Sequence, residues 1–404
     1  MNSHQMAKRN LLIMWFANFF IAGSMTMVLP FISLYIGTLG NYTESYVQHW
    51  SGLTFGITFV TAFLFSPIWG RLGDRIGRKK ILIFSGLGMA FSIFLMGFVT
   101  SVPQLFTLRL FMGIFAGFIS MSQAYISTQT PKEIAGRVLG TLQTGNITGS
   151  LLGPLLGGVL ADHFGYSTTF QWTSVTIFIS AILVMTTKEF RIDMKKDTKL
   201  MYSRKEVLLH IFKNPILLTV LIISTFIQIA HFSIQPILSL YVKELHGPEN
   251  IALFSGIVFS AAGAGNLMMT RKWGDIADRF GYIKVLIILL LVGGIVYLPG
   301  AFVNNIWQLM FIRFALGISL GGLIPLRVAY IRQAAPITMQ GEVLGYNTSL
   351  TFLGNVIGPM MGGMIAGYFG ISSVFFTTSS ILLLSALVLF VSMQRHPKVV
   401  KQLS

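Results

Sequence analysis

Stretches of mostly apolar residues, each near the roughly 20 residues that a helix needs to cross the hydrocarbon of a bilayer, recur about twelve times. They begin near Leu11, Trp50, Ile81, Leu105, Val138, Phe170, Ile216, Ile251, Val285, Met310, Val343 and Val374, and no run of charges interrupts any of them. The first carries Asn18 and Pro30 and continues to about Ile36. That is too long for a signal-peptide core, and no small-residue cleavage site follows it, so a retained helix is expected. The longest polar stretch, Lys188 to Lys213, holds eight Lys/Arg residues. It reads as a cytoplasmic linker (188–213) between an N-terminal six-helix half (1–187) and a C-terminal six-helix half (214–404), with a short surface helix around Lys205 to Phe212.

Composition agrees with lipid as the main solvent. Of 404 residues 53% are hydrophobic and 10% charged, with a mean hydropathy of +0.72, whereas soluble domains carry roughly 25% charged residues. An all-α membrane protein follows, and an ordinary soluble enzyme does not. There is no cysteine, which removes disulfides, zinc thiolates, iron–sulfur clusters and thiol nucleophiles together. The net charge of +16 is explained by its distribution. With a cytoplasmic N-terminus, Lys8, Arg9, the Arg71 to Lys80 cluster, Lys132, Arg137, the linker, Arg271 to Lys284, Arg332 and the Arg395 to Lys401 tail all fall inside. Only Lys243 is left in the outer loops. Lys and Arg resist translocation, so the expectation is a multi-pass plasma (cell) membrane protein with both termini cytoplasmic and no nucleic-acid partner.

An internal repeat sets the architecture. Gly70-Arg-Leu-Gly-Asp74-Arg-Ile-Gly77 returns as Gly274-Asp-Ile-Ala-Asp278-Arg-Phe-Gly281, at 274 − 70 = 204. Arg109-x-x-x-Gly113 returns as Arg313-x-x-x-Gly317, at 313 − 109 = 204. Gly149-x-x-x-Gly153-Pro154-x-x-Gly157-Gly158 returns as Gly354-x-x-x-Gly358-Pro359-x-x-Gly362-Gly363, at 354 − 149 = 205. Ser33-Leu-Tyr-Ile and Ser239-Leu-Tyr-Val match at 239 − 33 = 206. Matches in chain order at a near-constant offset mean two halves of one fold in the same orientation.

Gly70-Arg71-Leu-Gly-Asp74-Arg75-Ile-Gly77-Arg78-Lys79-Lys80 resembles the loop signature between helices 2 and 3 of the major facilitator superfamily, with Gly73 where the family usually has alanine. Arg109 with Gly113 and Gly117 resembles its helix-4 motif, with Met112 where many relatives have glutamine. The doubled Gly-Pro pattern resembles the antiporter signature of the twelve-helix drug:proton antiporters. Trp15-Phe-Ala-Asn18-Phe and the Phe-Ser-Pro-Ile-Trp-Gly run at 65 to 70 are most similar to Gram-positive fluoroquinolone and multidrug efflux pumps. The resemblance covers the whole chain. It implies a secondary active exporter of amphipathic drugs (fluoroquinolones, dyes), exchanged for protons by alternating access; a metabolite or lipid carrier is the alternative. No cofactor, metal or enzymatic activity is implied, and the unit of function is expected to be the monomer.

The motifs also have readings of their own. Gly145, Gly149, Gly153 and Gly157 form a ridge that admits a neighbouring backbone, and Pro154 forfeits a helical hydrogen bond. The ridge serves either tight packing or a bend that closes one side of a cavity. Asp74 is the lone acid among Arg71, Arg75, Arg78, Lys79 and Lys80, placed to cap a helix of the facing half. The resemblance assigns Asp74 to a cytoplasmic charge latch; Asp278 is its repeat counterpart, and Arg137 and Glu342, at matching positions just before helices 5 and 11 (342 − 137 = 205), are its candidate partners. All thirteen acids sort outside the membrane midplane. Arg109 and Arg313 then need a wet cavity, a substrate or polar groups such as Asn18, while Arg327 is expected to snorkel to the cytoplasm. Candidate substrate-binding residues are Arg109, Arg313, Gln143, Asn146, Gln228, His231, Gln235, Tyr346 and Asn347, with Trp15, Phe19, Gln123, Tyr125 and Tyr330 as further lining. With no midplane carboxylate, the proton is left to His231, to Asp74 or Asp278, or to the drug itself; the Asp74 network is favoured.

Overall fold

A computed structural model describes residues 3–131, 134–190, 203–336 and 339–396, apart from the side chains of Ser3, His4, Asp74, Ala135 and Gly136. Lys132, most of the linker and the tail beyond His396, all noted above, fall outside the described residues. Seventeen α-helices are present among the described residues. In the first half they are α1 (Ser3–Met27), α2 (Ile32–Thr38), α3 (Glu44–Ile76), α4 (Arg78–Met96), α5 (Val102–Ile114), α6 (Phe118–Ser127), α7 (Ala135–Phe164) and α8 (Tyr166–Met185). The second half holds α9 (Arg204–Lys213), α10 (Pro215–Ser233), α11 (Leu238–His246), α12 (Ile251–Phe280), α13 (Tyr282–Tyr297), α14 (Ile306–Leu320), α15 (Leu323–Ala334), α16 (Gln340–Phe369) and α17 (Ile371–Arg395).

Pairs of these helices make single apolar crossings. Pro30 interrupts α1–α2 and Pro236 interrupts α10–α11, while α5–α6 and α14–α15 break at Phe115–Gly117 and Gly321–Gly322. These four interruptions fall at corresponding places in the two repeats. Eleven helical stretches among the described residues are long and apolar enough to span a membrane. The twelfth crossing is α7, which has 30 residues but is diluted by Gly, Thr141, Gln143, Thr144, Asn146 and Thr148. Consecutive long helices meet at single glycines in the left-handed region: Gly77 (φ 100°) and Gly281 (φ 92°), Gly165 (φ 80°) and Gly370 (φ 83°). A side chain is strained at these angles, and the pairs keep the repeat offsets of 281 − 77 = 204 and 370 − 165 = 205.

The surface helix sits at Arg204–Lys213, opened by a capping box of Ser203 and Glu206. Asn214 accepts from Leu217 N to cap α10, with Pro215 at the first helical position.

Two compact units emerge: Met1–Lys195 with Leu238–Ser260, and Lys196–Ile237 with Ala261–Ser404. In the first, α1 lies on α7, α3 on α5 and α4 on α8, around Met14, Ile21, Phe31, Met89, Phe118, Tyr125 and Phe170. The second repeats the scheme with α10 on α16 and α13 on α17. Exposed apolar side chains such as Phe91, Phe98, Phe111, Trp307 and Phe311 are those of a protein whose outer surface meets lipid.

Candidate functional site

The glycine ridge of α7 lies directly on α1. A methyl group at Gly145 would stand 2.6 Å from the Trp15 carbonyl oxygen, and methyls at Gly149, Gly153 and Gly157 would strike the carbonyls of Phe19, Gly23 and Met27. The second unit repeats the seam: Gly354, Gly358 and Gly362 of α16 meet the carbonyls of Thr225, Ile229 and Ser233 of α10. Phe19, Gly23 and Met27 correspond to Thr225, Ile229 and Ser233 at an offset of 225 − 19 = 206. Spacing by four on both helices keeps each ridge on one face, so the backbones of the interrupted crossings are held at contact distance. Gly158 faces the other way, against Ala252 of α12. Pro154 and Pro359 both lie within continuous helices. The candidate Gly363 is buried on α16.

In the first unit, Arg109 is 3% exposed. Its guanidinium stands 5.6 Å from the centre of the Phe55 ring, and Nη1 approaches Met112 Sδ at 3.6 Å. Nε and Nη2 are buried without a hydrogen-bond partner among the described residues. Asn18 does not serve it: its Oδ1 accepts from Ser122 Oγ at 2.9 Å. Trp15 stacks on Phe19 with centroids 5.9 Å apart and donates to Thr144 Oγ1 at 2.9 Å. Gln123 Nε2 donates to Gln143 Oε1 at 3.1 Å, so α6 and α7 are bridged next to the half-buried Asn146. Tyr125, expected to line a cavity, is instead fully buried and bonded to Thr187 Oγ1 at 3.0 Å. The rotation of α6 about its axis turns it into the core together with Ser122, while Ser120 and Gln123 are exposed.

The second unit gathers more polar groups. Arg313, 5% exposed, lies in electrostatic range of His231 and Tyr297, and its Nε has no partner among the described residues. His231 packs edge-on against Phe232, and its carbonyl accepts from Gln235 Nε2 at 3.4 Å. Gln228 Nε2 donates to Asn355 Oδ1 at 2.9 Å, and Ser224 Oγ to Asn347 Oδ1 at 2.7 Å. Tyr346 donates to Glu342 Oε1 at 3.1 Å. Arg327 corrects the expectation of snorkelling. It is 2% exposed, donating from Nη1 to the Ser224 carbonyl at 3.2 Å and from Nη2 to Thr351 Oγ1 at 3.4 Å. Those acceptors lie on α10 and α16, inside the second unit. Tyr330, one turn on, is equally buried.

The basic loop is organised by a residue that its motif does not contain. Glu189 accepts from the backbone N–H of Arg78 at 2.9 Å and of Lys79 at 3.1 Å, capping α4 with a carboxylate where the helix dipole favours one. Lys79 Nζ donates to the carbonyls of Met185 (2.7 Å) and Thr187 (2.6 Å), and Arg78 to that of Ala124. Arg71, Arg75 and Arg137 are exposed. Asp278 accepts from Tyr282. The Asp74 side chain lies outside the described residues. Glu189 gave no signal in sequence beyond being an acid at the start of the stretch read as linker, and its bonds to α4 attach that start to the first unit.

This arrangement of helices has known counterparts. The Major Facilitator Superfamily description matches residues 14–283 and 254–404. The chain belongs to that superfamily. It is 52% identical to an uncharacterized MFS-type transporter, YuxJ, of Bacillus subtilis, over 94% of this chain and 97% of the relative. It is 39% identical to the multidrug resistance protein MdtG of Salmonella arizonae, over 96% of each chain. The solved structure of a bacterial homolog to the human lysosomal transporter Spinster superposes with a TM-score of 0.79 over 98% of each chain at 15% identity, a likeness of fold. The protein is therefore a multi-pass membrane transporter and not an enzyme.

Proposed function

We propose that this transporter is a secondary active multidrug exporter that moves amphipathic drugs, fluoroquinolones and dyes among them, out of the cell in exchange for protons by alternating access. It works as a monomer in the plasma membrane with both termini cytoplasmic. The observation that carries the reading is the pair of repeat-related guanidiniums, Arg109 and Arg313, both buried and both with nitrogen atoms that no described residue accepts from. A buried cation without an acid costs several kcal/mol, and a carboxylate-bearing drug would offset that cost through charge-assisted bonds. Gln143, Asn146, Gln228, His231, Gln235, Asn347 and Tyr346 are assigned with them as neutral substrate-binding groups. The 39% identity to a multidrug resistance protein supports the same substrate class. Asp74 with Arg71, Arg75, Arg78, Arg137, Asp278 and Glu342 is assigned to the cytoplasmic latch and to proton coupling.

The test uses purified protein in vesicles with an imposed proton gradient. Norfloxacin and ethidium should each accumulate against their gradients, with proton movement in the opposite direction. Gradient-driven drug movement without proton exchange would remove antiport, and no movement of either drug would remove the substrate class.

A further inference from the structure

The C-terminal end of α7 is tied to the start of α12 by a carboxylate. Asp162 Oδ2 accepts from Leu253 N at 2.7 Å and Oδ1 from Ala252 N at 3.2 Å. These amides belong to the first turn of α12, where N–H groups lack partners within the helix and the dipole favours an anion. The segment Leu238–Ser260 clusters with the first unit although the rest of the same helix, from Ala261 to Phe280, clusters with the second, so the tie is one of the bonds that hold the start of α12 to the first unit. Below it the two helices run at backbone contact. A methyl group at Gly158 would strike the Ala252 carbonyl, and one at Gly256 would strike that of Pro154. Further along, Ser260 Oγ donates to the Leu151 carbonyl at 2.8 Å. The Ser239 hydroxyl bonds the carbonyl of Pro30 beside the same end of the molecule.

This carboxylate breaks the repeat. The sequence from Gly149 to Gly165 is matched by that from Gly354 to Gly370, glycines and proline included, yet position 162 corresponds to Gly367 (162 + 205). Packing therefore does not require an acid there. We propose that Asp162 is the positioning residue that locks the α7–α12 seam shut in this conformation, and that breaking its two bonds is a step of the transport cycle. The proposal rests on the alternating-access reading given above. Glycine contacts alone make the seam close-fitting but leave it free to part, since they hold no strong bond. The carboxylate adds a charge-assisted attachment of the kind that is stronger than neutral bonds, placed where parting the helices would break both hydrogen bonds at once.

Absence of native cysteine makes the test direct. Ser255, on α12 one turn below the tie and fully buried, is replaced by cysteine, and its rate of modification by a maleimide is followed in the intact transporter in vesicles, with reagent added on either side. Asp162→Asn, which keeps shape but loses charge, should raise that rate about tenfold, while Asp162→Glu should stay near the parent. Equal rates in the Asn variant and the parent would overturn the proposal, as would an Asn variant that is only less heat-stable. Should the Asn variant not fold, Ser260→Ala with Asp162 intact should label at the parental rate, and a rise equal to that predicted for Asn would assign closure to the seam and not to the carboxylate. Labelling needs no drug, so loss of drug transport by the parent with an intact labelling response would sink the substrate assignment and leave the lock standing.

Discussion

Replacing Gly354 by alanine adds one methyl group to the α16 ridge. That carbon would stand 2.5 Å from the Thr225 carbonyl oxygen and 2.6 Å from Gln228 Cβ. Ordinary contact begins at 3.4 Å, so α10 and α16 must separate locally by 3.4 − 2.5 = 0.9 Å. A separation of that size cannot be confined to residue 354, because Gly358 and Gly362 press on the same helix and the bonds Ser224–Asn347 and Gln228–Asn355 cross the same seam. Overpacking of a tight interior costs about 1–3 kcal/mol, against which the gain from Ala over Gly in a helix is at most about 1 kcal/mol. Gly345→Ala on the same helix is the control, since nothing lies within 4 Å of its added carbon. Thermal denaturation of both variants in detergent, followed by loss of the monodisperse peak, should show Gly354→Ala melting several degrees below the parent and Gly345→Ala at or above it. Equal melting of the two would refute backbone contact at this seam.

Three more outcomes are expected. Arg313→Gln removes a buried guanidinium that a drug carboxylate would meet, and should reduce norfloxacin export about tenfold while ethidium export falls much less; equal losses in the two assays would assign Arg313 to structure. Asp74→Asn should leave expression intact and abolish most transport in a whole-cell accumulation assay, and parental efflux would remove Asp74 from the latch. Glu189→Gln weakens the cap on α4 and should lower stability by about 1 kcal/mol, seen as a shifted melting midpoint, whereas an unchanged midpoint would show that the cap is energetically idle.

Much of the scaffold is legible in the sequence because its constraints are local. A positive φ between two helices asks for glycine, and the chain shows Gly77, Gly165, Gly281 and Gly370 at repeat-related places. Ridges spaced by four must lie on one face, so the contact of α7 with a neighbouring backbone could be read before its partner α1 was known. Less was legible at the candidate site. Polar residues lie on more than one face of α6, where Ser122 is buried and Ser120 and Gln123 are exposed, so polarity does not announce which side faces the core, and Tyr125 and Arg327, expected near water, are buried. Capping by Glu189 and Asp162 joins residues 111 and 91 positions apart, and no local pattern encodes a pairing at that range.

The two repeats agree in their backbone contacts and part in their polar side chains. Gly149, Gly153 and Gly157 recur as Gly354, Gly358 and Gly362 because an added carbon at each would meet a carbonyl oxygen, whereas Gly145 on the same ridge corresponds to Leu350. Polar positions beside them diverge freely: Gln123 corresponds to Arg327 (327 − 123 = 204), Asn146 to Thr351 (351 − 146 = 205) and Leu142 to Asn347 (347 − 142 = 205). The geometry is kept while the chemistry changes, for Gln123 crosses from α6 to Gln143 on α7 much as Arg327 crosses from α15 to Thr351 on α16. Arg109 and Arg313 are the shared pair, so Arg327 gives the second half one more buried cation than the first, held by neutral acceptors. The protein carries a neutral amide bridge, Gln123 to Gln143, in one unit and a guanidinium-to-hydroxyl bridge, Arg327 to Thr351, at the matching place in the other, so the repeat keeps the crossing and changes its charge.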